Sequence, residues 1–345
     1  MARARRASLS VIDLHAAGDV SRVVTSGIRT LPGDSLLEAA RFLEYRADGL
    51  RRLLLSEPHG RPEMSANLIV PPRDPRARAG HIIMETMGYP GFSGSNTICT
   101  ATALAEAGNG GPADGANEFE LEAPVGTTRV TVQACSGRAV GVTYEAGPAY
   151  VARMACRADV AEHGSVVFDL VWSGVLYAVV DAAALGLALD RESVPALKEF
   201  ARRFLQAARP AAGVPHTVHG QAGPLSFVLL TGRLEPGEDG VYQRDAAVYV
   251  RPDVIRRSPT GTGTSAQLAL LAADGVMEAG ARLRTVSPFG GTFTGELLGD
   301  TSVGNHPAVL TAITGRAWTL ARSEIVVDLA DPLIEDAGLS AILGD

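Results

Sequence analysis

Cysteine is scarce in this chain: Cys99, Cys135 and Cys156 are the only three among 345 residues. They are too few and too scattered for a disulfide framework, and none stands in a CxxC pair or beside a histidine at zinc spacing. No metal site is therefore expected, and Cys99, on the apolar face of a predicted helix, reads as a buried structural thiol. Long hydrophobic runs are also missing. No stretch approaches the roughly 20 apolar residues that cross a bilayer. The basic cluster Arg3, Arg5 and Arg6 leads into the strand-like Leu9-Ser10-Val11-Ile12 rather than into a signal core. Nor is there an excess of positive charge: a net charge of −7 and a pI near 5.6 argue against nucleic acid or an anionic membrane as partner. The expected location is the cytoplasm.

What is present suits a soluble globular protein: 46% hydrophobic and 20% charged residues, with 38 Gly and 20 Pro marking frequent turns. The length suggests two domains at the usual ~100–200 residues each. Apolar residues recur at three- and four-residue spacing over 36–55, after a cap at Asp34 or Ser35, and again over 195–208, with Pro195 early where its missing N–H is harmless. Strand patterns dominate elsewhere, at 66–70, 81–85, 118–121, 129–132, 166–168, 225–230, 246–250 and 325–328. More strands than helices, broken by Gly/Pro turns, predict an α+β fold with curved sheets around a few helices.

The chain also matches itself. Residues 93–108 lie over 260–275, with Gly94/Gly261, Thr97/Thr264, Leu104/Leu271, Ala105/Ala272 and Gly108/Gly275 identical. Related turns follow, Ala123-Pro124-Val125-Gly126 and Ser287-Pro288-Phe289-Gly290. So long an offset indicates two similar domains, each with a glycine-rich turn leading into a buried helix, rather than a solenoid.

Ser93-Gly94-Ser95-Asn96-Thr97 and Thr260-Gly261-Thr262-Gly263-Thr264 each present a hydroxyl residue, a glycine and a second hydroxyl at a predicted helix start. The first helical N–H groups lack intrahelical partners and carry the positive end of the dipole. Glycine lets a ligand approach the backbone, so a carboxylate is the natural guest. Two such turns facing one cleft would hold a small acid from both sides. A nucleotide fits less well: no Gly-Lys-Ser/Thr follows the second turn, and no placed acidic residue supports a dinucleotide fingerprint.

These turns resemble those of the proline racemase superfamily, whose fold is similar to that of diaminopimelate epimerase. Further matching stretches are Asp13-Leu14-His15-Ala16-Ala17-Gly18-Asp19, Asn67-Leu68-Ile69-Val70-Pro71-Pro72-Arg73-Asp74-Pro75, Arg257-Ser258-Pro259 before the second turn, Thr314-Gly315-Arg316-Ala317-Trp318 and Val327-Asp328-Leu329-Ala330-Asp331-Pro332. The resemblance implies two epimerase-like domains, each a curved sheet around a central helix, with the active site in the interdomain cleft. The first would span 1–155 with 322–345 returning to it, and the second 156–321.

In the family's racemases and hydroxyproline epimerases both turns begin with cysteine, and the thiol pair moves the α-proton between faces. Ser93 and Thr260 stand here instead, and an aliphatic hydroxyl is a far poorer base than a thiol unless activated. Two-thiol racemisation is excluded by composition. The Ser/Thr pairing is similar to that of the family's trans-3-hydroxy-L-proline dehydratases. This implies Ser93 as proton acceptor, Thr260 as a lining or catalytic hydroxyl, no cofactor, and a small carboxylate held by Gly94, Ser95, Asn96, Gly261, Thr262 and Gly263.

One departure stands out. The family usually has Asp four residues before the second nucleophile, where this chain has Arg256. Either Asp253 replaces that Asp through a register shift, or Arg256 binds a second carboxylate bidentately. The latter would make the protein an isomerase or lyase for another small acid, a dicarboxylate included. A silent small-acid-binding homologue is the third alternative. His15 reads as structural, and Trp318 as core. His216 and His219 are loop candidates for a base, and Asp169, Trp172 and Ser173-Gly174 resemble the family's substrate-proximal turn. Oligomeric state, a homodimer included, stays open.

Overall fold

A computed structural model of the chain describes residues 6–107, 111–212, 225–251 and 253–344. Gly108, which the sequence repeat pairs with Gly275, lies outside the described residues, as do His216 and His219. The chain divides into two compact units, 1–142 with 316–345, and 143–315. The long strand Arg138–Val160 runs through the first division.

Each unit is an α+β assembly built on one plan. In the first, the sheet order is Gly126–Cys135, Gly115–Ala123, Ala77–Met84, Ser65–Val70, Asp19–Ser26, Arg6–Ala16 and Ala317–Asp328. Its two parallel pairings, Asp19–Ser26 with Ser65–Val70 and Ala77–Met84 with Gly115–Ala123, occur where helices bridge the strands. Parallel neighbours need such a crossover, whereas antiparallel ones can be joined by tight turns. In the second unit the bridged parallel pairs are Leu176–Asp181 with Phe227–Pro236, and Val241–Val250 with Arg282–Val286. The helices Val194–Ala212 and Gly261–Ala273 make those crossovers. The Pro124 and Pro288 turns join the antiparallel strands that follow the Gly94–Ala105 and Gly261–Ala273 helices. The internal repeat thus extends beyond the two glycine turns to the order of strands and helices in each unit.

The two faces of each sheet are covered differently. In the first unit Leu9, Val11, Val24, Leu68, Ile82 and Met84 pack on Leu43, Leu50 and Leu54 of the outer helices. Strand side chains alternate between faces, so Ser21, Val23, Ser65, Asn67, His81 and Ile83 turn to the face of the helix Gly94–Ala105. That helix is buried all round, every residue but Leu104, as a central helix must be. The second unit repeats this. Phe200 and Phe204 of the outer helix meet Phe168, Val228 and Tyr249, while the Gly261–Ala273 helix packs on Tyr177, Val179, Leu229 and Val248.

Two sequence expectations are revised. The pattern over 36–55 forms two helices, Leu36–Arg46 and Gly49–Leu55, with Ser35 capping the first by accepting from the Glu38 N–H. The break lets Asp48 bind Arg51 and Arg52 and brings Gly49 against the Asp336 carbonyl, where a Cβ would collide. Trp318 is not core: it is 50% exposed, with the Arg316 guanidinium 3.7 Å above its ring. A cation–π contact, rather than burial, is what the ring gains there.

Candidate active site

The first glycine turn sits at the end of the central helix of its unit. Ser93 is the N-cap residue, in extended backbone, and its hydroxyl makes no capping bond to the helix. Instead Ser93 Oγ accepts from Asn96 Nδ2 at 2.9 Å. The terminal N–H groups of a helix have no intrahelical partners, so with the Ser93 hydroxyl turned elsewhere this end keeps its capacity for an anion.

Asn96 is fully buried, and sheet register explains what surrounds it. Ser21 and Ser65 are direct partners in a parallel ladder, as are Val23 and Asn67, so their side chains share the face beneath the helix. Asn96 Oδ1 accepts from Ser21 Oγ at 2.8 Å, Ser65 Oγ at 2.6 Å and Asn67 Nδ2 at 3.1 Å. Asn96 Nδ2 also reaches Glu85 Oε1 at 3.3 Å. Glu85 is buried just past the strand Ala77–Met84, on the tight turn its backbone forms with Gly88. Ser95 is buried, and Ser93 is partly exposed.

The second turn is built otherwise. Thr260 adopts φ +59° and ψ 138°, a left-handed region that a β-branched residue rarely enters. Its Oγ1 caps the helix by accepting from the Gly263 N–H at 2.9 Å, and Tyr177 OH lies 3.2 Å away. The same Tyr177 OH is 2.7 Å from Thr262 Oγ1. Tyr177 is buried on the sheet face beneath the helix, so one phenol ties together both hydroxyls of the turn. Ser258 Oγ accepts from the Thr260 N–H at 3.1 Å, which explains the Ser-Pro step before the turn. Gly263 lies close under the threonine: a Cβ there would stand 2.5 Å from Thr260 Oγ1, so the Thr260 side chain could not keep its place. Gly261 is buried at the first helical position.

The two turns therefore differ in their hydroxyls. Thr260 is committed to its own helix and to Tyr177. Ser93 receives a hydrogen bond from a fixed amide and, among the described residues, donates none.

Arg256 is buried, 9% exposed, on the approach to the second turn, and its N–H donates to the Val248 carbonyl at 2.8 Å. Asp253 is half-exposed and pairs with Lys198 at 3.0 Å, so its charge already has a partner. Ser173-Gly174 lies beside the second turn, since a Cβ on Gly174 would be 3.7 Å from Thr262 Cγ2. Asp169 accepts from the Ala155 N–H at 2.8 Å, and burial raises its pKa. His15 Nδ1 accepts from the Gly18 N–H at 3.2 Å within its hairpin, and burial lowers its pKa. Cys99 is buried, which pushes its thiol pKa up. Sequence reasoning missed Ser21, Ser65, Asn67, Glu85 and Tyr177, whose roles depend on strand register.

Among the described residues no group of three or more His, Cys, Asp or Glu is arranged to hold a metal. No helix among them is long and apolar enough to cross a membrane.

Comparison with known proteins extends this picture. A family model described as proline racemase matches residues 11–337. A protein of Chromohalobacter salexigens is 45% identical over 97% of this chain and 93% of its own length. One of Marinobacter nauticus is 44% identical, covering 97% and 96%. Two solved structures superpose with a TM-score of 0.85 at 30% identity. One is a probable proline racemase from Agrobacterium radiobacter with bound carbonate, covering 94% of this chain and 95% of the other. The second is a hydroxyproline epimerase from Agrobacterium vitis with bound trans-4-hydroxy-L-proline, covering 96% and 95%. The fold is thus the mixed-sheet α+β fold of these enzymes.

Proposed function

The chain belongs to the proline racemase family, and from that premise we propose that it dehydrates trans-3-hydroxy-L-proline to pyrroline-2-carboxylate without a cofactor, Ser93 taking the α-proton. In this reading the substrate carboxylate lies on the helix ends at Gly94-Ser95 and Gly261-Thr262-Gly263, and Thr260 lines the site. The observation that carries it is the inequality of the two hydroxyls: Ser93 Oγ accepts from Asn96, while Thr260 Oγ1 is engaged as a cap and with Tyr177.

The chemistry needs only one active hydroxyl. In trans-3-hydroxy-L-proline the 3-hydroxyl is trans to the carboxylate, hence on the same ring face as the α-hydrogen. Ser93 on that face can serve both groups. Its Oγ takes the α-proton, the C–H electron pair becomes the C2=C3 bond, and the C3–O bond breaks. The proton originally on Oγ goes to the departing hydroxyl, which leaves as water, and Ser93 ends as a neutral alcohol. The cyclic enamine then moves a proton from nitrogen to C3 to give the imine acid. Negative charge developing on the carboxylate during proton removal is met by helix-terminal N–H groups, the kind of donors whose single loss costs about 10²–10³ in rate. A racemase would need a second acid on the opposite face, and a capped Thr260 is poorly suited to that.

Purified protein given trans-3-hydroxy-L-proline should release pyrroline carboxylate, and given trans-4-hydroxy-L-proline in D2O should form no C2 epimer. Epimer formation without dehydration would reject the reading. A second reading is motivated by Arg256 standing where the family usually has Asp: the substrate would carry another carboxylate. Thermal stabilisation by small dicarboxylates and not by imino acids would select it.

A further inference from the structure

We infer that Asn96 is a positioning residue for Ser93, held as a hydrogen-bond donor by a buried set of Ser21, Ser65, Asn67 and Glu85. This rests on the reading of Ser93 as proton acceptor and goes beyond it by naming the group that prepares the hydroxyl.

A side-chain amide can turn over, and then its oxygen rather than its nitrogen would face Ser93. The contacts around Asn96 favour the present orientation, the Glu85 carboxylate most of all. Ser21, Ser65 and Asn67 all bring donors to Asn96 Oδ1, at 2.8, 2.6 and 3.1 Å. On the other side lies Glu85 Oε1, a carboxylate oxygen, which requires an N–H opposite it. One N–H of Asn96 is thereby turned to Glu85 and the other to Ser93 Oγ. Asn67 Nδ2 additionally donates to Ser21 Oγ at 2.7 Å, which turns the Ser21 proton toward Asn96.

The consequence lies in the direction of the Ser93 proton. Because a lone pair of Oγ is occupied by Asn96, the hydroxyl hydrogen points away from the buried network. A donor fixed in a buried setting also stabilises the oxygen as it gains negative character. Asn96 is fully buried, so it acts through Ser93 and does not reach a ligand with its side chain. Among the described residues the second turn has no such amide beneath its leading hydroxyl: the sheet face there offers Leu229 and Val248, and the polar contact comes from Tyr177.

The test uses the full chain with Ser93→Cys, because a thiol at this position reports its local environment through alkylation. Iodoacetamide labelling of the introduced thiol at one neutral pH, read by mass spectrometry, measures its thiolate fraction. Exposed Cys135 and buried Cys99 serve as internal references for reagent activity and for folding. Adding Asn96→Asp should slow labelling of the introduced thiol by roughly tenfold or more, about one pKa unit, since the donor is lost and an anion joins Glu85. Ser65→Ala loosens the amide without adding charge and should slow it by a smaller factor, roughly threefold, with Cys99 still protected. Unchanged labelling of that thiol in both variants would overturn the inference. The reading of Ser93 is tested apart from this: if Ser93→Ala turns over trans-3-hydroxy-L-proline at the wild-type rate, that reading falls whatever the labelling shows. In the serine enzyme, Asn96→Asp should lower kcat and leave KM nearly unchanged. A purely structural role would move neither selectively.

Discussion

Gly263→Ala separates the cost of a side-chain clash from the cost of a distorted helix. The added Cβ would lie 2.5 Å from Thr260 Oγ1, but at ordinary van der Waals distance from Val248 Cγ2 (3.4 Å) and Leu229 Cδ1 (3.7 Å). Only the Thr260 side chain has to move. Rotating it away breaks the cap to the Gly263 N–H and the contact with Tyr177. Loss of a threonine cap costs about 1 kcal/mol, while replacing glycine by alanine within a helix returns up to about 1 kcal/mol. Net stability in urea unfolding should therefore change by less than about 1 kcal/mol. The functional effect should exceed the structural one: in the proposed reading Thr260 lines the site and transfers no proton, so KM for the substrate rises severalfold while kcat is nearly kept. A double-mutant cycle supplies the check. With Thr260→Ala in place the clash is gone, and Gly263→Ala should then stabilise by up to about 1 kcal/mol. A loss of several kcal/mol that persists in that background would refute the reasoning, because the obstacle would then be backbone and not the threonine hydroxyl.

Buried and strained groups carry two more expected outcomes. His81 is fully buried, and burial holds its pKa down at about 4, against 6.5 when free. The unfolded chain therefore takes up a proton that the folded one refuses. The stability this represents is complete above pH 6.5 and is lost as pH falls toward 4, by about 3 kcal/mol at most. The difference between wild type and His81→Gln in urea midpoints at pH 7.5 and 4.5 should show it, and an equal decline in both proteins would contradict it. Thr260 holds a backbone conformation suited to glycine, at a cost on the order of 1–3 kcal/mol. Thr260→Gly should thus keep or slightly raise the thermal midpoint while weakening substrate binding, and a large drop in the midpoint would show that no strain was stored there.

Both glycine turns, the central helices behind them and the repeat were legible in the sequence because they rest on local rules: small residues at helix starts, and helices apolar on all sides. The α+β class followed from strand patterns broken by turns. Other features depended on contacts distant in sequence. Asn96 looked like a ligand-binding residue of the turn, and only the register of Ser21 with Ser65 and of Val23 with Asn67 shows it embedded in a polar cluster. Tyr177 lies far upstream of Thr260, just past the Ser173-Gly174 turn, and only the packing of its strand under the helix brings it to Thr260. The break at Asp48 needed the approach of Asp336 to Gly49, which no periodicity records. Trp318 reads as core in the sequence, yet its strand leaves the ring half in solvent under Arg316. Arg256, where the family usually has Asp, was visible in the sequence, whereas its burial was not.

The most direct measurement compares wild type, Ser93→Ala and Thr260→Ala on trans-3-hydroxy-L-proline, following loss of one water by mass spectrometry. One active hydroxyl on the substrate face predicts dehydration by the wild type, loss of about 10³-fold or more in Ser93→Ala, in the range of removing an acid–base group, and a retained kcat in Thr260→Ala. Dehydration that survives in Ser93→Ala, or that depends equally on both hydroxyls, would contradict the account.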